Sequence, residues 1–202
     1  MKVAILAAEA APYAKAGGLA DVIGSLPGAM KRAGAQPSLI LPGYSSIKQN
    51  VQTTPVMREV PIQFGGSLEH FSVLSATDPY GVPMYLIDHP QLFGLREIYG
   101  ESGKDYPDNM RRFVFFGRAA MVAAAALIQP DVVHAHDWHA AAGPIAMRAE
   151  TALRPKFERA LSVFTIHNLA FQGIGKHEDF GLLDIDPSYF TPEYLEFYNH
   201  RI

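Results

Sequence analysis

Three short polar stretches in this sequence each follow an apolar run, and each carries side chains able to do chemistry. The first is Lys15 to Val22 (KAGGLADV), which comes just after the run Val3 to Ala8 and Glu9. A strand, a loop with paired glycines and a helix start form a phosphate-binding layout. N–H groups at a helix N-terminus carry partial positive charge, Gly17 and Gly18 lack the Cβ atoms that would hold a ligand away, and Lys15 adds a full charge. The same residues also suit a tight strand-to-helix turn whose glycines serve only the backbone. The second stretch is His134 to His139 (HAHDWH). Its histidines and aspartate invite comparison with a metal site. The spacing argues against one: Asp137 follows His136 directly where an H-x-H-x-D-H pattern needs an intervening residue, and His134 lies inside the apolar run. Asp137 and His139 suit capping of the next helix or lining a cleft. The third stretch is His167-Asn168. Imidazole and carboxamide together offer donors and acceptors, as sugar hydroxyls require; Asn168 equally suits a turn with unusual backbone angles.

These residues need elements to hold them. Lys2 to Ala8 is continuous and apolar, as in a buried parallel strand. Leu19 to Ala33 repeats apolar residues at helical spacing (Leu19, Val22, Ile23, Leu26, Met30), with Pro27 expected to interrupt and bend the helix and Gly34 to stop it. Gln36 to Pro42 predicts a second strand, completing a βαβ unit. Val51 to Asp88 alternates weakly around Gly65-Gly66, which predicts antiparallel hairpins inserted into the frame, with Met84 to Ile87 returning to the main sheet. Gln91 to Tyr99 predicts a short helix or loop. Tyr99, Tyr106, Asp108 and Asn109 form a polar aromatic segment that suits a carbohydrate surface or an ordinary loop in which Asp108 caps the next helix. Asn109 to Leu127 predicts the longest helix, with Arg111, Arg112 and Arg118 salt-bridged or solvated. A strand over 131–136, a helix over 140–150, a buried strand over 160–167 and a last helix from Pro192 complete the chain. Strands alternating with helices predict one α/β domain over residues 1–202: a Rossmann-like, doubly wound, mostly parallel sheet with an inserted hairpin region. In such sheets ligands sit beyond the C-terminal strand ends, where all three polar stretches fall.

Composition narrows the function classes. The chain has 202 residues and a net charge of −3, which gives no general argument for nucleic acid or an anionic membrane. No apolar run approaches the ~18–20 residues of a membrane span, and the N-terminus reads as a strand rather than a secretory signal. The lack of cysteine removes thiolate chemistry and suits a reducing, cytoplasmic setting. There is no G-x-G-x-x-G, no G-x-x-x-x-G-K-[ST] and no G-x-S-x-G, which disfavours a dinucleotide dehydrogenase, a P-loop NTPase and a serine hydrolase.

The motifs resemble one family. KAGGLADV is similar to the K-[TSV]-G-G-L-[AG]-D-V signature of bacterial glycogen synthases and plant starch synthases, with Ala16 as a departure. Leu41 to Tyr44 resembles their L-P-x-[YF], and Tyr85 to Asp88 the strand before their glucan-facing segment. Asp105 to Asn109 with Arg112 and Phe113 resembles D-x-x-D-N…R-F. DVVHAHDWHA (Asp131 to Ala140) and FTIHNLAFQG (Phe164 to Gly173) resemble their two most recognisable internal motifs, with Phe171 for the commoner Tyr.

The resemblance implies the acceptor-side, N-terminal half of a GT-B glycosyltransferase. Such enzymes transfer glucose from ADP-glucose to the non-reducing end of an α-1,4-glucan, with retention, no cofactor and no catalytic metal. It implies that Lys15, Gly17 and Gly18 meet the donor phosphates and that Asp21 lies near the sugar or acceptor. His167 would hydrogen-bond the transferred glucose, Asn168 would shape that subsite, and Tyr99, Asp137 and His139 would belong to the acceptor side. His167, Lys15 and Asp21 are the catalytic candidates. The chain ends at Ile202 where the family continues into a nucleotide-binding domain, so the expectation is a truncated first domain, inactive alone, whose open sheet edge favours self-association. The competing expectations are a non-catalytic α-glucan-binding module, a glycosyltransferase with another sugar-nucleotide donor, and a metal-dependent hydrolase using His134, His136 and His139.

Overall fold

The computed structural model describes residues 1–94, 97–198 and 200–201. Leu95 and Arg96, within the segment expected as a short helix or loop, lie outside the described residues, as do Asn199 and Ile202. The order is β1 (Lys2–Leu6), α1 (Gly18–Arg32), β2 (Gln36–Pro42), α2 (Ser45–Asn50), β3 (Thr54–Phe64), β4 (Ser67–Thr77), β5 (Pro83–Asp88) and α3 (Pro90–Phe93). A small pair, β6 (Gly100–Glu101) and β7 (Lys104–Asp105), precedes α4 (Asn109–Leu127), β8 (Val132–His136), α5 (Trp138–Ala149) and β9 (Leu161–Thr165). The end of the chain holds 3-10 turns and a second small pair, β10 (Glu196–Phe197) and β11 (His200–Arg201).

The main sheet runs β3-β4-β5-β2-β1-β8-β9. The five strands from β5 to β9 are parallel, and β3 and β4 add an antiparallel hairpin at the β5 edge. The hairpin therefore extends the main sheet. Its two-residue loop has Gly65 at φ 59 and Gly66 at φ 80, the doubly positive geometry that matches strand twist and favours glycine. Phe115 of α4 ties the hairpin to the core, with ring centroids 5.0 Å from Phe64 and 6.1 Å from Phe71.

The first crossover, β1 to β2, steps one way along the sheet, and the last, β8 to β9, steps the other. Right-handed crossovers then lay α1 and α5 on opposite faces, which is why β1 is buried from Val3 to Leu6. On the α5 face, α4 and α5 touch backbone to backbone: a Cβ added at Gly117 would meet the Gly143 nitrogen at 2.7 Å. The small residues Ala119, Ala120, Ala123 and Ala124 of α4 are buried in the same layer.

Several expectations are corrected. The helix runs through Pro27 to Arg32 without interruption. The strand at 160–167 is not buried: β9 is the open edge, with Leu161 64% and Phe164 45% exposed. Residues 192–198 form turns and a short strand rather than a last helix. Arg111 pairs with Glu69 at 2.7 Å and Arg118, though buried, is salt-bridged as expected; Arg112 alone departs, being buried and, among the described residues, neither salt-bridged nor solvated. Arg118 joins Glu150 at 3.2 Å and Asp184 at 2.7 Å. Arg112 donates to the carbonyls of Leu92 and Ile98 and to Asn109 Oδ1. Asp108 precedes α4 without bonding it through its side chain.

Candidate functional site

Strand order turns around between β1 and β8, so their C-terminal ends flank the topological switch point of the sheet, where open α/β folds bind ligands. A cleft of about 340 Å³ opens there. It gathers Gly17 and Gly18 from the end of β1, Asp137 and His139 from the end of β8, Asn168 beyond β9, and Tyr99; Glu9, Trp138 and Phe171 also line it. Lys15 faces an adjoining hollow of about 540 Å³, which shares Ala16, Tyr99 and Asp105 with the cleft. Asp21 lines a different hollow, with Tyr13, Ser25 and Tyr80. His167 stands beside the cleft, exposed.

The two glycines discriminate between the readings of the loop. Neither has a positive φ. A Cβ at Gly18 would meet nothing within 4 Å, and one at Gly17 only Glu9 Oε1, at an ordinary 3.9 Å. The fold itself therefore does not require glycine at either position. What the missing side chains provide is access from outside the chain. Lys15 Nζ bonds both carboxylate oxygens of Asp21, at 2.6 and 2.8 Å. Their side chains are 52% and 60% exposed, so the pair contributes about 0–1 kcal/mol and opens at little cost toward a ligand anion.

Glu9 was not among the expected site residues. It is 3% exposed; Oε2 accepts the N–H of Ala16 at 2.6 Å and of Gly17 at 2.8 Å, and Oε1 accepts the Tyr99 hydroxyl at 2.5 Å. The Gly17 N–H, expected on a donor phosphate, is thus held by the protein's own carboxylate. No side chain caps α1, which leaves the N–H groups of its first turn, beginning at Gly18, as the outward donors. Burial and the Glu9 bond both raise the Tyr99 phenol, which stays neutral.

His139 packs in an aromatic cage, its ring centroid 4.7 Å from Tyr99, 4.6 Å from Phe113 and 4.3 Å from Trp138. Burial first, and the Arg112 charge second, push its pKa down to about 3, so it is a neutral imidazole near pH 7. His136 is pushed down to about 3 by burial and then by His134 and His167. Its Nδ1 lies 2.9 Å from His167 Nε2, and His134 Nε2 lies 2.8 Å from Thr165 Oγ1. His134 and His136 thus lie together, with ring centroids 4.0 Å apart, while His139 faces the aromatic cage. Among the described residues, no group of three or more His, Cys, Asp or Glu is placed to share a metal ion.

Asp137 occupies the turn into α5 at φ 55, ψ 173, a region costing a non-glycine residue about 1–3 kcal/mol. It makes no side-chain cap to α5, contrary to the capping expectation. Its Oδ1 accepts the His167 N–H at 2.7 Å, and its own N–H donates to Thr165 O at 2.9 Å. The carboxylate thus clamps the His167-Asn168 turn to the end of β8, and Asn168 Oδ1 closes that turn on the Ala170 N–H at 3.0 Å.

A family model described as the starch synthase catalytic domain matches residues 2–201. The chain belongs to that family. It is 38% identical over 200 residues to glycogen synthase 2 of Geobacter metallireducens and 36% identical over 200 residues to glycogen synthase of Geotalea daltonii. Each alignment covers 98% of this chain and 41% of the relative. Among solved structures, the catalytic domain of starch synthase IV from Arabidopsis thaliana, bound to ADP and acarbose, superposes with a TM-score of 0.85 at 28% identity. That match covers 99% of this chain and 41% of the other. The chain thus spans about two-fifths of the length of the relatives it matches. The likeness bears out the α/β, mostly parallel architecture expected from the strand and helix pattern.

Proposed function

We propose that this chain supplies the acceptor-side wall of an ADP-glucose-dependent glucosyltransferase that extends the non-reducing end of an α-1,4-glucan. The observation that carries the reading is the open space around Gly18: a family loop whose glycines the fold does not need, at the switch-point cleft, beside a weakly held lysine. Transfer leaves negative charge on a departing diphosphate, and Lys15 with the first-turn N–H groups of α1 is suited to receive it. His167 and Asn168 take the transferred glucose, and Asp21 meets the sugar or acceptor once Lys15 releases it. Tyr99, Asp137 and neutral His139 form the acceptor wall, where an aromatic face beside hydrogen-bonding groups suits a sugar ring. The working location is the cytoplasm; among the described residues, no helix is long and apolar enough to cross a membrane. The open β9 edge gives the chain a tendency to self-associate.

The test is an NMR titration of the labelled chain with ADP-glucose and, separately, maltopentaose. ADP-glucose should shift the amides of Gly18 and Leu19, and Lys15→Ala should abolish those shifts while sparing maltopentaose shifts at Tyr99 and His139. ADP-glucose shifts that persist in Lys15→Ala would remove the donor role. Maltopentaose binding with no ADP-glucose response in either protein would favour a glucan-binding module. The chain alone should not incorporate glucose from ADP-glucose into glycogen; robust turnover would overturn the assignment of only one wall of the site.

A further inference from the structure

The loop expected to bind an external anion already holds an internal one. Glu9 follows the buried strand β1 and points its carboxylate under the glycine loop, where it collects two backbone N–H groups and, from 90 residues further along the chain, the Tyr99 hydroxyl. No lysine or arginine forms an ion pair with it among the described residues. Its charge is balanced by N–H donors at the start of α1, the end of a helix that favours anions. Hydrogen bonds to an ionised acceptor are roughly twice as strong as neutral ones, so this carboxylate is the firmest link between the loop and the rest of the cleft. The direct bond from Lys15 to Asp21 is more than half exposed and cannot serve that purpose.

We infer that Glu9 is a positioning residue: it sets the shape of the Lys15–Gly18 loop and couples that loop to Tyr99. The phosphate lip and the aromatic wall then keep a fixed spacing. Two consequences follow. The N–H groups of Ala16 and Gly17 are committed to Glu9, so a bound anion meets the loop from Gly18 onward and through Lys15. The Tyr99 ring, packed against His139, is held by its hydroxyl at the same point that holds the loop, so loosening either end loosens the other. Naming the loop a ligand lip rests on the glucosyltransferase reading, but the coupling does not.

Amide hydrogen exchange, read by NMR on the whole 202-residue chain without ligand, tests it independently of that reading. In Glu9→Ala the protection of the Ala16 and Gly17 amides should fall about 10- to 100-fold, while Ile5 and Leu39 at the sheet centre keep theirs. The isosteric Glu9→Gln, whose carbonyl oxygen can still accept from the loop, should restore most of that protection. Tyr99→Phe hydrogen-bonds neither amide directly, yet it should lower their protection severalfold by freeing Glu9 Oε1. Unchanged loop protection in Glu9→Ala, or no effect of Tyr99→Phe, would overturn the inference. If Glu9→Ala fails to fold, Tyr99→Phe decides: selective loosening of Ala16 and Gly17 supports the inference, and unchanged protection or uniform loosening across the sheet overturns it.

Discussion

Acidification from about pH 7 to about pH 5 should weaken this chain through two histidines that the fold keeps neutral. His136 and His139 are each pushed from 6.5 to about 3. A group whose native pKa is depressed in this way binds a proton in the unfolded chain before it does so in the native one. Stability therefore rises with pH between about 3 and 6.5 and is lost progressively as pH falls through that window. At about pH 5 the unfolded imidazole is almost fully protonated and the native one almost not at all. Each histidine then costs about 1.5 pH units, or about 2 kcal/mol, and the two together about 4 kcal/mol. That is a large share of the ~5–15 kcal/mol typical of a domain. Trp138, the single tryptophan, lies against His139 with ring centroids 4.3 Å apart and reports unfolding of the site by fluorescence. Urea melts at the two pH values, on wild type and on His136→Gln/His139→Gln, isolate the effect, because every other titrating group is common to both proteins. The double variant should lose about 4 kcal/mol less on acidification than wild type. An equal loss in both proteins would refute the assignment of these two imidazoles as buried and neutral.

Gly117→Val should destabilise by about 1–3 kcal/mol or more, because its added atoms land on the Gly143 backbone 2.7 Å away; thermal melts read this directly. Lys15→Ala should change stability by less than about 1 kcal/mol, since the pair it breaks is solvated, so any effect on ligand shifts belongs to the site. Phe164→Lys, on the exposed edge strand, should reduce concentration-dependent association in sedimentation velocity while leaving the melt nearly unchanged; equal association in both proteins would remove β9 as the contact. Asp137→Asn should cost about 1 kcal/mol by weakening the charge-assisted bond from the His167 N–H. An ordinary helix cap would tolerate that exchange without loss, so a urea melt of Asp137→Asn that matches wild type would restore the capping role.

What could be read from the sequence is what depends on neighbours along the chain. Residues of β1, β2 and α4 announce themselves by apolar runs and helical spacing, and the Gly65-Gly66 turn by a dipeptide with one favoured geometry. The placement of polar groups after β1, β8 and β9 follows from strand alternation, which is why Gly17, Gly18, Asp137, His139 and Asn168 meet in one cleft. What escaped depends on partners far away in sequence. The run from Leu161 to Thr165 carries apolar residues as β1 does, but apolarity states that a strand can be covered, not that it is; β9 has a partner on one side only. Arg112 looked like a surface residue because its own helix says nothing of the Leu92 and Ile98 carbonyls that receive it.

Glu9 is the most instructive case. An acid directly after a buried strand is ordinary in sequence, and the glycine loop seven residues on suggested a site waiting for an anion. The two observations answer each other only in three dimensions: the carboxylate fills the rear of the loop and takes the N–H groups of Ala16 and Gly17, so under the proposed function only the front of the loop is left for an external anion. This division explains why a helix start with paired glycines can be both well held and open. Ala16 and Gly17 spend their N–H groups on holding the loop, while Gly18, with empty space where its side chain would be, is left to face what enters the cleft.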